Sequence, residues 1–466
     1  MGRGGVVVAG LIAGTLLPAV PAAAVHGAVP GDFNGDGYKD AVLPAPGTNV
    51  SGKEAAGAVV VLYGSSSGLA ASRRKTITQN TARVPGAAEA YDGFGTATAT
   101  ADLNRDGYAD LLVSSPFEDT TKGTDAGTVT ILWGSSSGLS RVTNLPTPSD
   151  GPRRYGLDLA ALSTGSGTRT QVVVAGWDAL VHVKGPFSKS SSVGSAELNQ
   201  NTASVGSVAL GDLDGDTVPD PAVATVRLHD ISGGEIYTEL AYGKQLRGNG
   251  LITATGDING DGYDDLVAGD PDEPKVEGRD GTKGGRVLVW YGSADGIASD
   301  VQPVEITQNT GGVPGGSETG DAFGAALAVT DLNRDGLADI VVGAPYEDLG
   351  STQRAGMVTV IPGRASDALG TGSYAFTQNT SGVPGGAETD DFFGTTVAAG
   401  DVNKDGKPEL FVSAAGENNY TGGVWVLPGG TSRPTASGSR VFTARSIGLT
   451  QANGTLVGGN GLLEVI

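Results

Sequence analysis

The chain has 466 residues, with 51 acidic against 30 basic side chains and a net charge of −21. This acidic balance argues against nucleic acid or an anionic membrane surface as the partner. The chain contains no cysteine, which excludes disulfides, thiol catalysis and cysteine-ligated metals.

The first 24 residues are typical of an export signal. Arg3 precedes an apolar run, Val6 to Val20, and Ala22 to Ala24 supply the small residues that a signal peptidase reads. A buried N-terminal strand is the alternative, but two prolines would interrupt it. We predict a signal peptide over 1–24, cleaved after Ala24, and a secreted, extracellular protein over 25–466. No other segment approaches the ~20 apolar residues of a membrane helix.

An acidic nine-residue loop of the form D-x-N-x-D-G-x-x-D follows. Its four full copies begin at Asp32, Asp102, Asp257 and Asp331, and looser copies begin at Asp212 and Asp401. Oxygen side chains at positions 1, 3, 5 and 9, with glycine at position 6 for a sharp turn, are the hard ligands that Ca2+ takes. We therefore predict Ca2+ as the cofactor, with four sites in the full copies and two in the looser ones.

The alternative is that these loops are Asx-rich turns that bind nothing, since Asn and Asp favour turns. A turn, however, does not require four oxygens at fixed spacing, and carboxylates packed together without a cation repel one another. Short apolar runs flank each loop, and no helical spacing is present nearby. We expect strand-to-strand turns that Ca2+ stabilises structurally, not EF-hands.

The loops belong to a longer repeat of four short strands. In its sixth copy the predicted strands are Gly324–Thr330, Leu337–Gly343, Gly356–Pro362 and Gly372–Thr377. The long gap between Asp102 and Asp212 contains a degenerate copy, with Tyr155-Gly156 at its start and residues 163–169 in place of the acidic loop. Seven such units predict an all-β, seven-bladed β-propeller as a single domain, its third blade without a metal loop.

Two parts of this propeller are harder to place. The fourth unit is short, because only residues 244–248 separate it from the next inner strand, and we expect that blade to lack its outer strand or to be irregular. The ring can close through Leu462–Ile466 or through Val25–Pro30 as the inner strand of the first blade. Either choice would remove an open sheet edge.

A second repeat lies between blades. Thr-Gln-Asn-Thr occurs at 78–81, 307–310 and 377–380, and each copy leads through Val-Pro-Gly to Glu89, Glu318 or Glu388. We favour a structural role, in which the outer strand ends and the chain returns to the central axis. A ligand-binding surface formed by the same loops is the alternative.

The combined motif resembles the FG-GAP repeats of the integrin alpha-chain head. Phe323-Gly324 and Gly343-Ala344-Pro345, with the acidic loop between them, are the residues that carry the resemblance, which extends over about 27–466. Similar repeats occur in glycosylphosphatidylinositol-specific phospholipase D and in secreted bacterial proteins. The resemblance implies a seven-bladed propeller with Ca2+ between the first two strands of a blade, on the face opposite the one that binds partners in integrins.

The resemblance also implies the ligands: the side chains at positions 1, 3, 5 and 9 and the main chain at position 7. They are Asp32, Asn34, Asp36, Tyr38 and Asp40; Asp102, Asn104, Asp106, Tyr108 and Asp110; Asp212, Asp214, Asp216 and Asp220; Asp257, Asn259, Asp261, Tyr263 and Asp265; Asp331, Asn333, Asp335, Leu337 and Asp339; Asp401, Asn403, Asp405, Lys407 and Glu409. Two loops depart from the pattern: Thr217 replaces the glycine, where a β-branched residue disfavours positive φ, and Glu409 replaces the last aspartate.

Catalytic motifs are weak. The three histidines, His26, His182 and His229, form no recognisable site, and the two Gly-x-Ser-x-Gly matches at 64–68 and 134–138 are interpreted as repeated turns. We favour a monomeric, non-catalytic binding or adhesion module for a protein or glycan. An extracellular hydrolase or lyase acting on a phosphodiester or polysaccharide at the central channel is the main alternative, and a purely structural protein is the third.

Overall fold

The computed structural model describes residues 29–190, 192–200, 204–226, 233–240, 243–274, 280–366 and 369–463. Nearly all regular structure in these ranges is β-strand, arranged in seven four-stranded antiparallel sheets. The predicted all-β, seven-bladed propeller is therefore confirmed. The predicted signal peptide and two of the histidines, His26 and His229, lie outside the described residues. Within those residues, no helix is long and apolar enough to cross a membrane.

Each blade uses four consecutive strands in chain order. Blade one comprises β1 (Val29–Gly31), β2 (Asp40–Ala45), β3 (Ala58–Leu62) and β4 (Arg74–Ile77). Blade two comprises β5 (Thr98–Ala101), β6 (Asp110–Ser115), β7 (Thr128–Trp133) and β8 (Arg141–Asn144). Blade three comprises β9 (Leu159–Ser163), β10 (Thr170–Ala175), β11 (Ala179–Lys184) and β12 (Ser195–Gln200), with a 3-10 turn at Gly167–Arg169. Blade four comprises β13 (Val205–Gly211), β14 (Asp220–Thr225), β15 (Gly234–Tyr237) and β16 (Gln245–Gly250).

The remaining three blades follow the same order. Blade five comprises β17 (Ile252–Gly256), β18 (Asp265–Asp270), β19 (Arg286–Trp290) and β20 (Val304–Ile306). Blade six comprises β21 (Ala326–Thr330), β22 (Asp339–Ala344), β23 (Met357–Ile361) and β24 (Tyr374–Phe376). Blade seven comprises β25 (Phe393–Gly400), β26 (Glu409–Ala414), β27 (Gly423–Leu427) and β28 (Arg440–Thr443), with one helical turn, α1 (Glu417–Tyr420).

The first strands of the blades form the closed inner ring. Each contacts the first strand of the next blade, from β1 through β5, β9, β13, β17, β21 and β25 back to β1. The middle strands are buried on both faces, as in β2, β6 and β22, because each blade stacks between two others. This burial explains their continuous Val, Leu, Ile and Ala composition. Seven apolar clusters fill the seven joints between blades, so the core is distributed around the ring.

Both ends of the described chain close the ring. At the N-terminal end, β1 pairs with β2 as the inner strand of blade one. At the C-terminal end, Val457 bridges Gly422 as Phe94 bridges Gly57, and the Gly458 N–H donates to the Pro44 carbonyl at 2.8 Å. Val457-Gly458 thus takes the place of a Phe-Gly pair. The predicted alternative at 462–466 is not a strand at 462 or 463, and 464–466 lie outside the described residues.

Blade four keeps an outer strand. Residues 245–250, which the sequence suggested as little more than a linker, pair with β15 as β16. The blade is irregular, with register shifts between Val205 and Ser207 and between Glu235 and Tyr237.

In blade three, the fully buried Tyr155 stands where phenylalanine stands elsewhere, and the short 3-10 turn replaces the acidic loop, as expected from its sequence.

Blade three also contains a buried histidine. His182 is 5% exposed and its Nε2 contacts Oε1 of Gln171. Burial, aided by the nearby Lys184 ammonium and opposed by Glu197, lowers the pKa of His182 to about 4. The imidazole is therefore neutral in the folded protein and takes up a proton at higher pH when unfolded, so its contribution to stability is lost as pH falls from about 6.5 toward 4.

We expect the wild type to lose about 3 kcal/mol more unfolding free energy than His182→Gln between pH 7 and pH 4, because a pKa difference of one unit is worth about 1.4 kcal/mol. Denaturant titrations of both proteins at both pH values measure this. Carboxylates titrate in both proteins, so their effect cancels in the difference. Equal losses in the two proteins would contradict the buried neutral histidine.

Candidate metal loops and ligand face

The six acidic loops lie on one face of the propeller. Each connects the first and second strands of its blade, from β1–β2 and β5–β6 through β25–β26. In an antiparallel blade these connections share one end of the strands with the third-to-fourth connections. The crossing segments between blades and the second-to-third connections lie at the opposite end. The predicted strand-to-strand position of the loops is therefore what the structure shows.

The residue at position 9 anchors each loop to the blade. The buried Asp40 accepts the Phe33 N–H through Oδ2 at 3.0 Å and the Gly64 N–H through Oδ1 at 2.9 Å. Asp110, Asp265 and Asp339 repeat both bonds. These carboxylates tie the loop to the end of the third strand. The oxygens of Asp40, Asp110 and Asp265 each keep a lone pair that a metal could use, whereas both oxygens of Asp339 accept a second bond from Asn333.

Glu409 serves the seventh loop differently. Its Oε2 accepts the Val402 N–H at 2.8 Å, and its Oε1 accepts a bond from Asn403 Nδ2 at 2.6 Å. The longer side chain thus reaches the loop backbone as an aspartate does. Burial raises the pKa of the position-9 carboxyl to about 7 for Asp40, Asp110, Asp220, Asp265 and Glu409, and to about 6 for Asp339.

Positions 1, 3 and 5 fold back over the loop. Asp32 accepts N–H groups of Gly35 and Gly37 at 2.7 and 2.8 Å, and Asp36 accepts the Tyr38 N–H at 2.9 Å. These bonds bring the side-chain oxygens together above a sharp turn. Position 6 has positive φ, 86° at Gly37 and 68° at Thr217. The fourth loop therefore holds a β-branched residue in the left-handed region that the sequence identified as unfavourable.

The fourth loop nevertheless has the densest charge. Asp212, Asp214 and Asp216 each present a carboxylate oxygen, and these oxygens lie within 4.8 Å of one another. In the part of the chain that the structure describes, this is the one group of three carboxylates so arranged. Crowded carboxylates repel unless a cation or protons intervene, and hard oxygens suit Ca2+. The residues present therefore fit the ion, and the full loops have asparagine in place of the second of these aspartates.

A lysine contacts the second loop. Lys189, between β11 and β12, places its Nζ 2.6 Å from Asp106 Oδ2 and 3.0 Å from the Gly134 carbonyl oxygen. This ammonium neutralises part of the charge that would attract a metal there. Lys189 is distant in sequence from the loop, so no local pattern could have identified it.

Backbone bonds also join neighbouring loops into two groups of three, those of blades seven, one and two and those of blades four, five and six. The position-8 N–H of one loop donates to the position-1 carbonyl of the preceding loop: Lys39 to Asp401, Ala109 to Asp32, Asp264 to Asp212 and Ala338 to Asp257, at 2.8–3.1 Å. The seventh loop has Pro408 at position 8, which lacks the donor. Asp264 adds a side-chain bond to the Asp212 N–H at 2.8 Å. A metal in one loop would therefore order its neighbours as well.

The opposite face carries a cavity of about 650 Å3 over blades five to seven. Loops that enter blades six and seven form its walls, together with the connections β22–β23 and β26–β27. Its lining residues are Glu318, Thr319, Gly320, Asp321, Tyr346, Asp348, Gln353, Arg354, Asp390, Phe392 and Tyr420. The volume lies within the roughly 300–1,000 Å3 of small-molecule sites.

Aromatic rings form one side of this cavity. Phe392 lies 5.3 Å from Tyr346 and 6.1 Å from Tyr420, measured between ring centroids. Tyr420 is 47% exposed and follows Asn418 and Asn419, all three with φ between 54° and 61°. Left-handed backbone costs about 1–2 kcal/mol per non-glycine residue, and such strain often accompanies functional sites.

Polar groups converge on the same cavity. Arg354 Nε lies 2.5 Å from Asp390 Oδ1, and the Arg354 backbone N–H donates to Asp348 Oδ1 at 2.7 Å. Burial raises the pKa of Asp321 to about 6. An exposed ring beside carboxylates, an amide and a guanidinium can stack against an apolar surface and hydrogen-bond hydroxyl groups at its edge. The sequence showed these loops as a repeat but not that three blades bring them together.

Comparison with known proteins supports the repeat. The FG-GAP repeat model matches residues 94–132, 249–290, 323–361 and 393–427, which are the first three strands of blades two, five, six and seven. The chain is 34% identical over 231 residues to integrin alpha pat-2 of Caenorhabditis briggsae, covering 46% of this chain and 17% of the relative. It is 32% identical over 228 residues to integrin alpha-V of Gallus gallus, covering 45% and 20%.

A second group of relatives consists of proteins named as phospholipases. Phosphatidylinositol-glycan-specific phospholipase D of Mus musculus is 32% identical over 165 residues, covering 35% of this chain and 18% of the relative. In each of these relatives the matched region is thus a minor part of the whole protein.

Among solved structures, the exotype rhamnogalacturonan lyase YesX matches 89% of this chain and 73% of its own, with a TM-score of 0.42 and 13% identity.

Proposed function

We propose that this integrin alpha-like FG-GAP propeller is a secreted, extracellular, calcium-stabilised binding or adhesion module, monomeric and non-catalytic, whose ligand is a glycan or a protein. The predicted signal peptide motivates secretion. The acidic loops would hold Ca2+ on one face through positions 1, 3, 5 and 9 and the position-7 carbonyl. The ion would supply positive charge that orders the turns, and the ligand would bind on the other face.

The cavity beside Tyr420 is the observation that carries this proposal. Its aromatic side suits the apolar face of a sugar ring, and its carboxylates and amide suit hydroxyl groups. Four carboxylates line it against one guanidinium, so an anionic glycan would be repelled. A neutral glycan fits this charge best. A protein ligand would use the same aromatic and ionic groups with the surrounding loops.

A hydrolase or lyase is the second candidate. The raised pKa of Asp321 favours it, because a carboxyl group that holds its proton near neutral pH can act as a general acid beside an ionised neighbour. Its substrate would be a polysaccharide or a phosphodiester. The lining residues include no histidine, cysteine or serine, so Asp321 and its acidic neighbours would have to provide the acid–base chemistry.

We expect Tyr420→Ala to weaken binding to a neutral glycan at least tenfold, because it removes the exposed ring. Binding is measured by titration calorimetry with the best hit from an array of neutral and acidic glycans. Tyr91→Ala is the matched control, since Tyr91 is 59% exposed in a crossing segment outside the cavity.

Equal binding by the wild type and Tyr420→Ala would contradict this site. Binding only to immobilised extracellular proteins would move the proposal to a protein ligand. Turnover of the glycan by the wild type would establish the enzymatic alternative instead.

A further inference from the structure

Among the described residues, three of the seven joints contain an amide–carboxyl cluster on the cavity-bearing face, in which the glutamine and the aspartate are buried and the glutamate is buried or half-buried. Each joint cluster combines the glutamine of Thr-Gln-Asn-Thr, an aspartate of the crossing segment and a glutamate of the next blade's second-to-third connection. The clusters are Gln79, Asp92 and Glu118; Gln308, Asp321 and Glu347; Gln378, Asp391 and Glu417. The glutamine Nε2 lies 2.5, 2.6 and 2.8 Å from the glutamate Oε2.

The other polar residues of the motif already have structural roles. Asn80 accepts the Ala88 N–H at 3.2 Å, and Thr81 Oγ1 accepts the Thr78 N–H at 2.9 Å. The second and third copies repeat both bonds. These contacts hold the turn and the crossing segment without the glutamine. The structural interpretation of the motif therefore explains its threonines and asparagine only.

Each glutamine retains an unsatisfied oxygen. Gln79, Gln308 and Gln378 are 3%, 2% and 2% exposed, and in all three the buried Oε1 has no hydrogen-bond partner. A buried acceptor without a partner costs about 1–3 kcal/mol. The same orphaned atom in three separate copies indicates a missing group rather than a local packing fault.

The clusters are also rich in negative charge. Asp92, Asp321 and Asp391 each accept one backbone N–H at 2.6 Å. Among the described residues, no lysine or arginine forms an ion pair with the six carboxyl groups of the clusters. Further acids stand beside them, such as Glu89 and Asp119 at the first cluster. A cation would bind the spare oxygens and neutralise the uncompensated negative charge.

We propose that each joint cluster binds one divalent cation, Ca2+, through the glutamine Oε1 and the aspartate and glutamate carboxylates. The amide would keep its Nε2 on the glutamate Oε2 and offer the unpartnered Oε1 to the ion, so that the buried acceptor of each copy gains a partner. Ligand distances of about 2.3–2.6 Å and additional water ligands are expected. Each ion would fasten the outer strand of one blade to the next blade, on the face opposite the acidic loops.

Other joints show what the cluster requires. In blade five, Glu273 stands at the register position of Glu118, but its Oε1 accepts the N–H groups of Gly284 and Gly320 at 2.7 and 3.0 Å. No Thr-Gln-Asn-Thr precedes it in blade four. In blade one the position is Thr48. Neither joint combines an orphaned amide with two carboxyl groups, so we place no ion there.

The direct test is anomalous diffraction from crystals of the full mature protein grown with CaCl2 and soaked in MnCl2. We expect a peak within bonding distance of each of the three joint clusters, separate from peaks in the acidic loops. Peaks in the loops with none at the joints would overturn this inference and leave loop calcium intact. Peaks at the joints with none in the loops would support this inference and would overturn calcium binding by the acidic loops.

Metal content in solution provides a second test. After dialysis against 1 mM CaCl2, the triple variant Glu118→Gln, Glu347→Gln and Glu417→Gln is expected to retain three fewer Ca2+ per chain than the wild type, and the single variant Glu118→Gln one fewer. Glu273→Gln is the matched control and should lose none. An unchanged number of bound Ca2+ per chain in Glu118→Gln would overturn the inference. The partner of the buried glutamine Oε1 would then be a water molecule or a shared proton.

Discussion

Excess chelator is expected to lower the melting temperature of the mature protein by about 20 °C relative to the same protein in millimolar calcium. One bound ion at a hundredfold its dissociation constant contributes about 2.7 kcal/mol, and an unfolding entropy of about 2.1 cal/mol/K per residue shifts a domain of this size by about 1 °C per kcal/mol. Several loops would lose their ions together, and the backbone bonds between neighbouring loops would spread the loss. In the fourth loop, three carboxylates within 4.8 Å would also be left to repel.

Calorimetric scans in calcium, in chelator and after re-addition of either calcium or magnesium measure this effect. Calcium should restore the melting temperature, whereas magnesium should not, because Mg2+ demands a compact octahedral shell that these carboxylate-rich loops do not provide. Asp331→Asn in the sixth loop should reproduce part of the loss. A melting curve that chelator leaves unchanged would refute structural calcium in the loops and would leave the propeller fold untouched.

Gly356→Ala is expected to cost at least about 3 kcal/mol of unfolding free energy, or to prevent folding. Gly356 precedes the third strand of blade six with φ +88°, and an added Cβ would lie 2.1 Å from the Phe393 carbonyl oxygen and 2.4 Å from its nitrogen. Both atoms belong to the backbone that enters blade seven. The blades would have to move apart, and the apolar cluster between them would lose contacts.

Gly350→Ala is the control for backbone strain. Gly350 also has positive φ, +67°, but an added Cβ there meets nothing within 4 Å. Its expected cost is about 1 kcal/mol, the strain of a left-handed residue alone. Denaturant titration of both variants in saturating calcium separates the two effects. Equal costs would show that the close approach at Gly356 does not limit the distance between blades.

The repeat could be identified in the sequence because most blades have the same residues at equivalent positions. A Phe-Gly pair, an acidic turn, an apolar second strand and a glycine before the third strand all lie within about 40 residues of one another. The sequence therefore predicted seven blades, the degenerate third unit and the position of each acidic loop between strands. It left the ion untested, because a turn with capped side chains and a turn around Ca2+ use the same residues.

Sequence reasoning was weakest where the repeat departs from its own pattern. The outer strand of blade four, Gln245–Gly250, contains three polar residues and two glycines and does not have the composition of a strand. It forms because the neighbouring β15 offers an edge to pair with. The Lys189 contact at the second loop and the three-ring group at the cavity likewise involve residues from different blades, whose approach depends on how the blades stack.

The sequence by itself determined the local structure of this protein: the strands, their order within a blade, the turns that need glycine and the acidic side chains above them. These follow from steric limits and hydrogen bonding over a few residues. Only the tertiary structure decided the closure of the ring by β1 and Val457-Gly458, the two groups of bonded loops and the cavity over blades five to seven. The reason is physical: these features join residues far apart in the chain, and their energy is gained only after the ring has closed.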